Sequence, residues 1–234
     1  MSASISLLEK VRRKGLRNSL RVLSQRYFYC HSEFILVDRP LNLSLSSAPP
    51  EQPWRWEEVS HKSLPAFKKY FASQLASIEK LIDENYRGHV YLDEDGHVIL
   101  MIWASESGYY IDKHYRCQIN VPDNYIFQFA LECSPLYRGL GLASLSQKRM
   151  WDKYRRYGFT GTRAMVNVLN EPALKLHANL DFQEIGESIH IYRVLGCLHL
   201  HRRSRYEHPR LLPQYKKLPT PPSVPSVNIE KERL

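Results

Sequence analysis

Apolar residues recur along this chain at two periods, and the changes of period mark its elements. Over residues 5–26, Leu8, Val11, Leu16, Leu20 and Leu23 recur at roughly helical steps. Lys10, Arg13, Lys14, Arg17, Arg21 and Arg26 fill the other faces. This predicts a basic amphipathic helix, weakened at Gly15. Its stripe either packs on the rest of the chain or lies on an anionic membrane face. Residues 33–38 read as the first strand, and the Ser/Pro-rich stretch 41–53 reads as a loop. Trp54 and Trp56 follow, either lining a pocket or capping the core. Two helices are expected over 64–70 and 75–85, with Pro65 in a first turn and Leu75, Ile78 and Ile82 on a buried face. Apolar runs at 89–92 and 98–104 flank Asp93-Glu94-Asp95-Gly96, a hairpin signal. Residues 105–124 read as a further hairpin or a long loop.

The strand expected over 125–133 alternates Phe127, Phe129 and Leu131 with Gln128, Ala130 and Glu132. Pro135 has no N–H to give and ends it. A helix follows over 140–157, striped by Leu142, Leu145, Met150, Tyr154 and Tyr157, with Gly158 as its stop. A strand over 162–168, a helix from Pro172 to Asn179, and strands over 182–185 and 188–194 around Gly186 complete the pattern. From Gly196 it fails, and Pro213, Pro219, Pro221, Pro222 and Pro225 mark a solvated, partly disordered tail. The order βαα, antiparallel strands, then βαβα predicts an α/β fold with a mixed sheet, in which 125–133 and 162–168 run parallel. Three segments follow: a basic helix over 1–30, a body over 31–196 and a tail over 197–234.

Charge follows that division. Residues 1–26 hold seven Lys/Arg against Glu9 alone, and residues 197–234 hold eight against three Glu. Of the net charge of +9, the ends carry +6 and +5, which leaves −2 on residues 27–196. A near-neutral body argues against a nucleic-acid groove. No apolar run reaches membrane-spanning length and no secretory leader is visible, so a cytoplasmic protein is expected, with residues 1–26 touching the inner membrane face as the open variant. Cys30, Cys117, Cys133 and Cys197 show neither metal-binding nor framework spacing. His199 and His201 read as histidines of a basic tail rather than metal ligands, and no metal is expected.

The chemistry concentrates between the two parallel strands. Arg138, Gly139, Leu140, Gly141, Leu142 and Ala143 stand where a helix begins. Glycines there leave backbone N–H groups bare, and the helix dipole behind them favours an anion such as a pyrophosphate. Arg-x-x-Gly-x-Ala after a strand resembles the acyl-CoA loop of the GNAT superfamily of N-acetyltransferases. A second segment, residues 166–182, resembles that family's strand-then-helix segment through Asn170, Ala173, Leu174, Leu176, Leu180 and Phe182. The likeness covers residues 33–196 and is of a bacterial-type member.

The resemblance implies a GNAT-like acyl-CoA N-acyltransferase fold whose parallel strands splay apart to admit acetyl-CoA or another acyl-CoA. It implies transfer of the acyl group to a primary amine of a small molecule, an amino sugar or amino acid derivative. Cofactor contacts fall on Cys133, Ser134, Arg138, Gly139, Leu140, Gly141, Leu142, Ala143 and Asn170. Asn170 is equally readable as a helix cap. Glu132 is the candidate base and His177 the candidate acid; the family often carries a tyrosine at the latter position and a glycine where this chain has Asp181. Two other readings stay open: a fold that binds acyl-CoA without catalysis, and a peripheral protein that uses its basic ends.

Overall fold

Strands that read as unbroken apolar runs need cover on both faces, and this chain supplies it. The computed structural model describes residues 29–42, 53–112, 115–195 and 197–211. The expected basic helix, most of the 41–53 loop and the Pro-rich end of the tail lie outside the described residues. Strand β1 (Tyr29–Pro40) contains the run Phe34-Ile35-Leu36-Val37, all of it buried. Its odd and even members enter different clusters on opposite faces of the sheet.

After β1 come β2 (Arg55–Glu58), a 3-10 segment (His61–Phe67), α1 (Lys68–Phe71), a second 3-10 turn (Ala72–Gln74) and α2 (Leu75–Asp83). Pro65 sits inside the first 3-10 segment, so the first expected helix is only partly α-helical. Strands β3 (Arg87–Leu92) and β4 (Val98–Ser105) form the expected hairpin. Asp93 closes its turn by accepting from the His97 N–H at 2.7 Å, and Gly96 takes the positive φ the turn requires. Strands β5 (Tyr109–Asp112) and β6 (Cys117–Asn120) settle residues 105–124 as a hairpin. Then follow β7 (Tyr125–Cys133), α3 (Leu142–Arg156), β8 (Gly161–Asn167), α4 (Glu171–Asn179), β9 (Gln183–Val194) and β10 (Leu198–Arg205).

Eight strands form one sheet in the order β10-β9-β1-β8-β7-β4-β3-β2. As expected, β7 and β8 run parallel, and every other neighbouring pair is antiparallel. Two expectations are corrected. The two closing strands around Gly186 are one strand, because a bulge opposite Ile35 and Val37 absorbs the glycine within β9. The tail after Gly196 begins with β10, an edge strand carrying three arginines and two histidines. Charge on an edge strand suits solvent and discourages further pairing, so it does not look like core.

Helices α3 and α4 cover one face, where Ile35, Val37, Ile102, Ile126, Ala164 and Val166 meet Met150, Trp151, Tyr154 and Leu174. The other face is shared. The β5–β6 hairpin covers Phe34, Leu36, Phe127, Ile189 and Ile191, and α1 and α2 cover Met101 and Trp103. Trp56 stacks on the buried His89 ring at 5.4 Å and caps the core.

One polar cluster lies inside the helix face. The Gln128 Oε1 accepts from Trp151 Nε1 at 2.9 Å and from Thr162 Oγ1 at 3.1 Å. Its Nε2 donates to Gln147 Oε1 at 2.6 Å. All four side chains are buried, so α3, β7 and β8 are locked together at one point. Replacing Gln128 by leucine keeps the volume and leaves the indole N–H and the threonine hydroxyl unpaired. The Gln128→Leu variant is expected to lose about 3 kcal/mol, from about 1–3 kcal/mol for each buried group left without a partner. Urea unfolding should show a lower midpoint, and a midpoint equal to wild type would contradict the role.

Candidate active site

Strands β7 and β8 pair only from Tyr125–Gly161 to Gln128–Ala164. Beyond that point they part, and β7 leaves its regular register at Ala130. Phe129 stands opposite Trp103 and Glu132 opposite Met101, so Ala130 and Leu131 together face Ile102. This is a bulge, with Ala130 at φ 48, a left-handed conformation that costs a non-glycine residue roughly 1–2 kcal/mol. The bulge also shifts the phase of the strand. Leu131 joins the helix face, and Glu132 joins Phe129 on the opposite face. The simple alternation of Phe127, Phe129 and Leu131 against Gln128 and Glu132 is thereby corrected.

A cleft of about 840 Å³ occupies the gap. Of the expected site residues, Glu132, Cys133, Arg138, Gly139, Gly141, Leu142, Ala143, Asn170 and His177 line it. Ser134 and Leu140 do not. The Ser134 N–H is spent on the Ile99 carbonyl at 2.8 Å, and Leu140 is exposed.

The mouth of the cleft is the start of α3. Gly139 and Gly141 take φ of 81 and 79, and Gly141 is the N-cap, with no side chain capping the helix. Among the described residues, no backbone N–H from Gly139 to Ser144 meets a backbone or side-chain acceptor. A Cβ built on either glycine would meet nothing within 4 Å, so the space before these amides is open. About half an elementary positive charge is concentrated at such a terminus. The residues therefore fit the phosphates of an acyl-CoA. Arg138 anchors the loop by donating from Nε to the Cys133 carbonyl at 3.2 Å. Along the cleft wall, the edge of β7 beyond Gln128 has no strand beside it, so its peptide groups can pair with a peptide-like arm.

Glu132 is exposed and accepts from Gln74 Nε2 at 2.5 Å. His177 is buried, edge-on to Phe182 at 4.7 Å. Its Nδ1 lies 2.8 Å from the Ala173 carbonyl, which can only accept, so Nδ1 carries the ring proton. Burial pushes this histidine down to about 4, and the ring is neutral near pH 7. Asn170 both lines the cleft and caps α4, accepting from the Ala173 N–H at 3.2 Å. Asp181 takes φ 58, the conformation a glycine would supply in that turn. Burial pushes the Cys133 thiol up, which disfavours the thiolate.

Sequence reading missed Ala130, Gln74, Phe34 and Met165. Nothing local marks an alanine as a bulge, and the other three reach the site from distant elements. Among the described residues, no group of three or more His, Cys, Asp or Glu is placed to hold a metal, and no helix is long and apolar enough to cross a membrane.

Two buried histidines make stability pH-dependent. His89, shielded beneath Trp56, is pushed down to about 4, chiefly by burial, as His177 is. Both rings titrate near 6.5 when exposed, so between these values the unfolded chain binds more protons. Their contribution is complete above 6.5 and is lost as pH falls toward 4. In His177→Gln, the decline of the urea midpoint from about pH 6.5 to about pH 5 should be shallower than in wild type. Parallel declines would show that His177 is not the source.

No protein-family model matches the sequence, and no curated protein matches it. Solved structures do. The structure of a Drosophila protein matches at 11% identity and TM-score 0.50, over 83% of this chain and 60% of that one. A GCN5-related N-acetyltransferase from Sphaerobacter thermophilus matches at 10% identity and TM-score 0.50, over 76% of this chain and 56% of that one. A GCN5-related glucosamine N-acetyltransferase region of a fungal multi-domain GH3 β-N-acetylglucosaminidase matches at 13% identity and TM-score 0.51, over 79% of this chain and 23% of that one. This chain thus spans less than two thirds of each. At these identities the likeness speaks of architecture, and the architecture is the one the two glycine-and-asparagine segments resemble: this chain has the GNAT fold.

Proposed function

We propose that the chain is an acyl-CoA-dependent N-acyltransferase that passes acetyl from acetyl-CoA to a primary amine of a small molecule by direct attack. The observation that carries this reading is the row of unpartnered amides at the head of α3, opening into a gap between parallel strands. Acyl-CoA brings an activated thioester; the chain supplies position and charge. The amides of Gly139–Ser144 hold the phosphates, and the free edge of β7 holds the arm. A strand N–H at the parted end stabilises the negative charge that grows on the carbonyl oxygen. An amine of lysine type, with pKa near ~10.4, arrives protonated and must lose a proton. Glu132, oriented by Gln74 at the rim of the gap, accepts it directly or through water.

One observation favours a second reading, acyl-CoA binding without transfer. His177 carries a single proton and has committed it to Ala173, so it has none ready for a leaving thiolate. Isothermal titration with acetyl-CoA and thiol release with an amine panel separate the two.

The Glu132→Gln variant should keep its affinity for acetyl-CoA while thiol release falls on the order of 100-fold, the lower range for a general base. Unchanged turnover removes the base role. In Gly141→Asp, a side chain at φ 79 and a carboxylate at the phosphate seat should weaken acetyl-CoA binding at least about tenfold. Equal binding by wild type and variant would sink the acyl-CoA reading.

A further inference from the structure

The cleft does not stay on one side of the sheet. Ile102 on β4 and Phe34 on β1 each stand one strand away from the gap, yet both line the cleft. They reach it only through their side chains. Ile102 points to the helix face, with Ala164 and Val166, and Phe34 points to the hairpin face, with Met165 and Phe129. The gap is therefore a passage through the sheet, with different chemistry at each end. The α3 amides, Asn170 and His177 lie at the helix end. Glu132, turned over by the bulge at Ala130, lies at the other end with Phe129.

The surroundings of that second end are apolar and aromatic. Phe129 packs against Tyr110 at 4.5 Å and Tyr86 at 5.3 Å, and Phe34 packs against Tyr115 at 5.2 Å. Asn167 also lines this end, and its Oδ1 already accepts from the Leu169 N–H at 2.8 Å, while Gln74 is bonded to Glu132. Among the described residues lining the cleft, the only arginine or lysine is Arg138, on the phosphate loop. Among the described residues lining this end, a substrate carboxylate would find no arginine or lysine, and sugar hydroxyls set against Phe34, Phe129 and Met165 would lose water.

We propose that the acceptor, entering at the hairpin end of the passage, is a primary amine on an aromatic or aliphatic body bearing no carboxylate. This deepens the acyltransferase reading and rests on it. The ammonium group meets Glu132, and the apolar body displaces water from Phe34, Phe129 and Met165. Free amino acids and amino sugars are disfavoured for the reasons just given.

Methionine-methyl-labelled full-length protein tests this directly. Methyl spectra are recorded with 2-phenylethylamine, L-phenylalanine and glucosamine, each with and without coenzyme A, and Met165 is assigned through Met165→Leu. The Met165 methyl should move with 2-phenylethylamine and stay fixed with the other two. In acetyl transfer, 2-phenylethylamine should exceed both in kcat/KM by at least about 100-fold, since about 3 kcal/mol of discrimination corresponds to that ratio. Met165→Gln should raise KM for 2-phenylethylamine about tenfold with kcat held, one unfavourable polar contact being worth about 1.4 kcal/mol. A Met165 shift caused by glucosamine or by L-phenylalanine overturns the proposal, as does the absence of any shift with 2-phenylethylamine. A failure of the acyltransferase reading is seen separately, as absence of acetyl-CoA binding by titration, while the methyl spectrum without coenzyme A still reports the amine.

Discussion

A single buried amide decides where this sheet opens. Gln128 is the last residue of β7 to pair with β8, and its side chain bonds Trp151 and Gln147 of α3 and Thr162 of β8. A polar side chain inside an apolar layer is tolerable only when its hydrogen bonds are made, and here three partners fix its position. The strands are held together up to this residue, while the bulge two positions later turns β7 aside. The helix whose amides face the gap is fixed by the same side chain. The cleft is thus the boundary between a clamp and a bend.

Much of this was legible from residue pattern. The parallel pair, the β3–β4 turn and the glycine-led start of α3 follow from local chemistry that the structure reproduces, whereas residues 105–124 are readable as a hairpin or a long loop and only the structure decides for the hairpin. The illegible features share a cause: they arise where one strand answers to its neighbours rather than to its own composition. Ala130 adopts a conformation that its identity disfavours, because β4 and the diverging β8 impose it. Once it does, every later side chain changes face, and Glu132 comes to share a face with Phe129. Gly186 suggested a break, yet β1 pairs with β9 on both sides of it and takes the glycine up in a bulge. Strand β10 is charged because it is an edge, and a rule tuned to buried alternation passes over it.

The two candidate catalytic side chains lie in contrasting settings. Glu132 is water-exposed and accepts a hydrogen bond from Gln74. His177 is buried against Phe182 and bound to its own helix, so its chemistry is that of a neutral wall. On the acyltransferase reading, the base near this gap would be Glu132. Departure of a thiolate would depend on water or on the amine's own proton, not on a charged imidazole.

The placement of β1 bears on how the protein is made. Phe34 leaves the ribosome well before its partners Asn167 and Ile189, which lie far along the chain from it. At about 5–20 residues per second, the wait is on the order of ten seconds. Throughout that interval an apolar ribbon with two bare edges has nothing to pair with. Completion of the sheet is thereby tied to the arrival of its C-terminal third, which makes nascent-chain protection, rather than the stability of the finished fold, the step where synthesis of this molecule is most exposed.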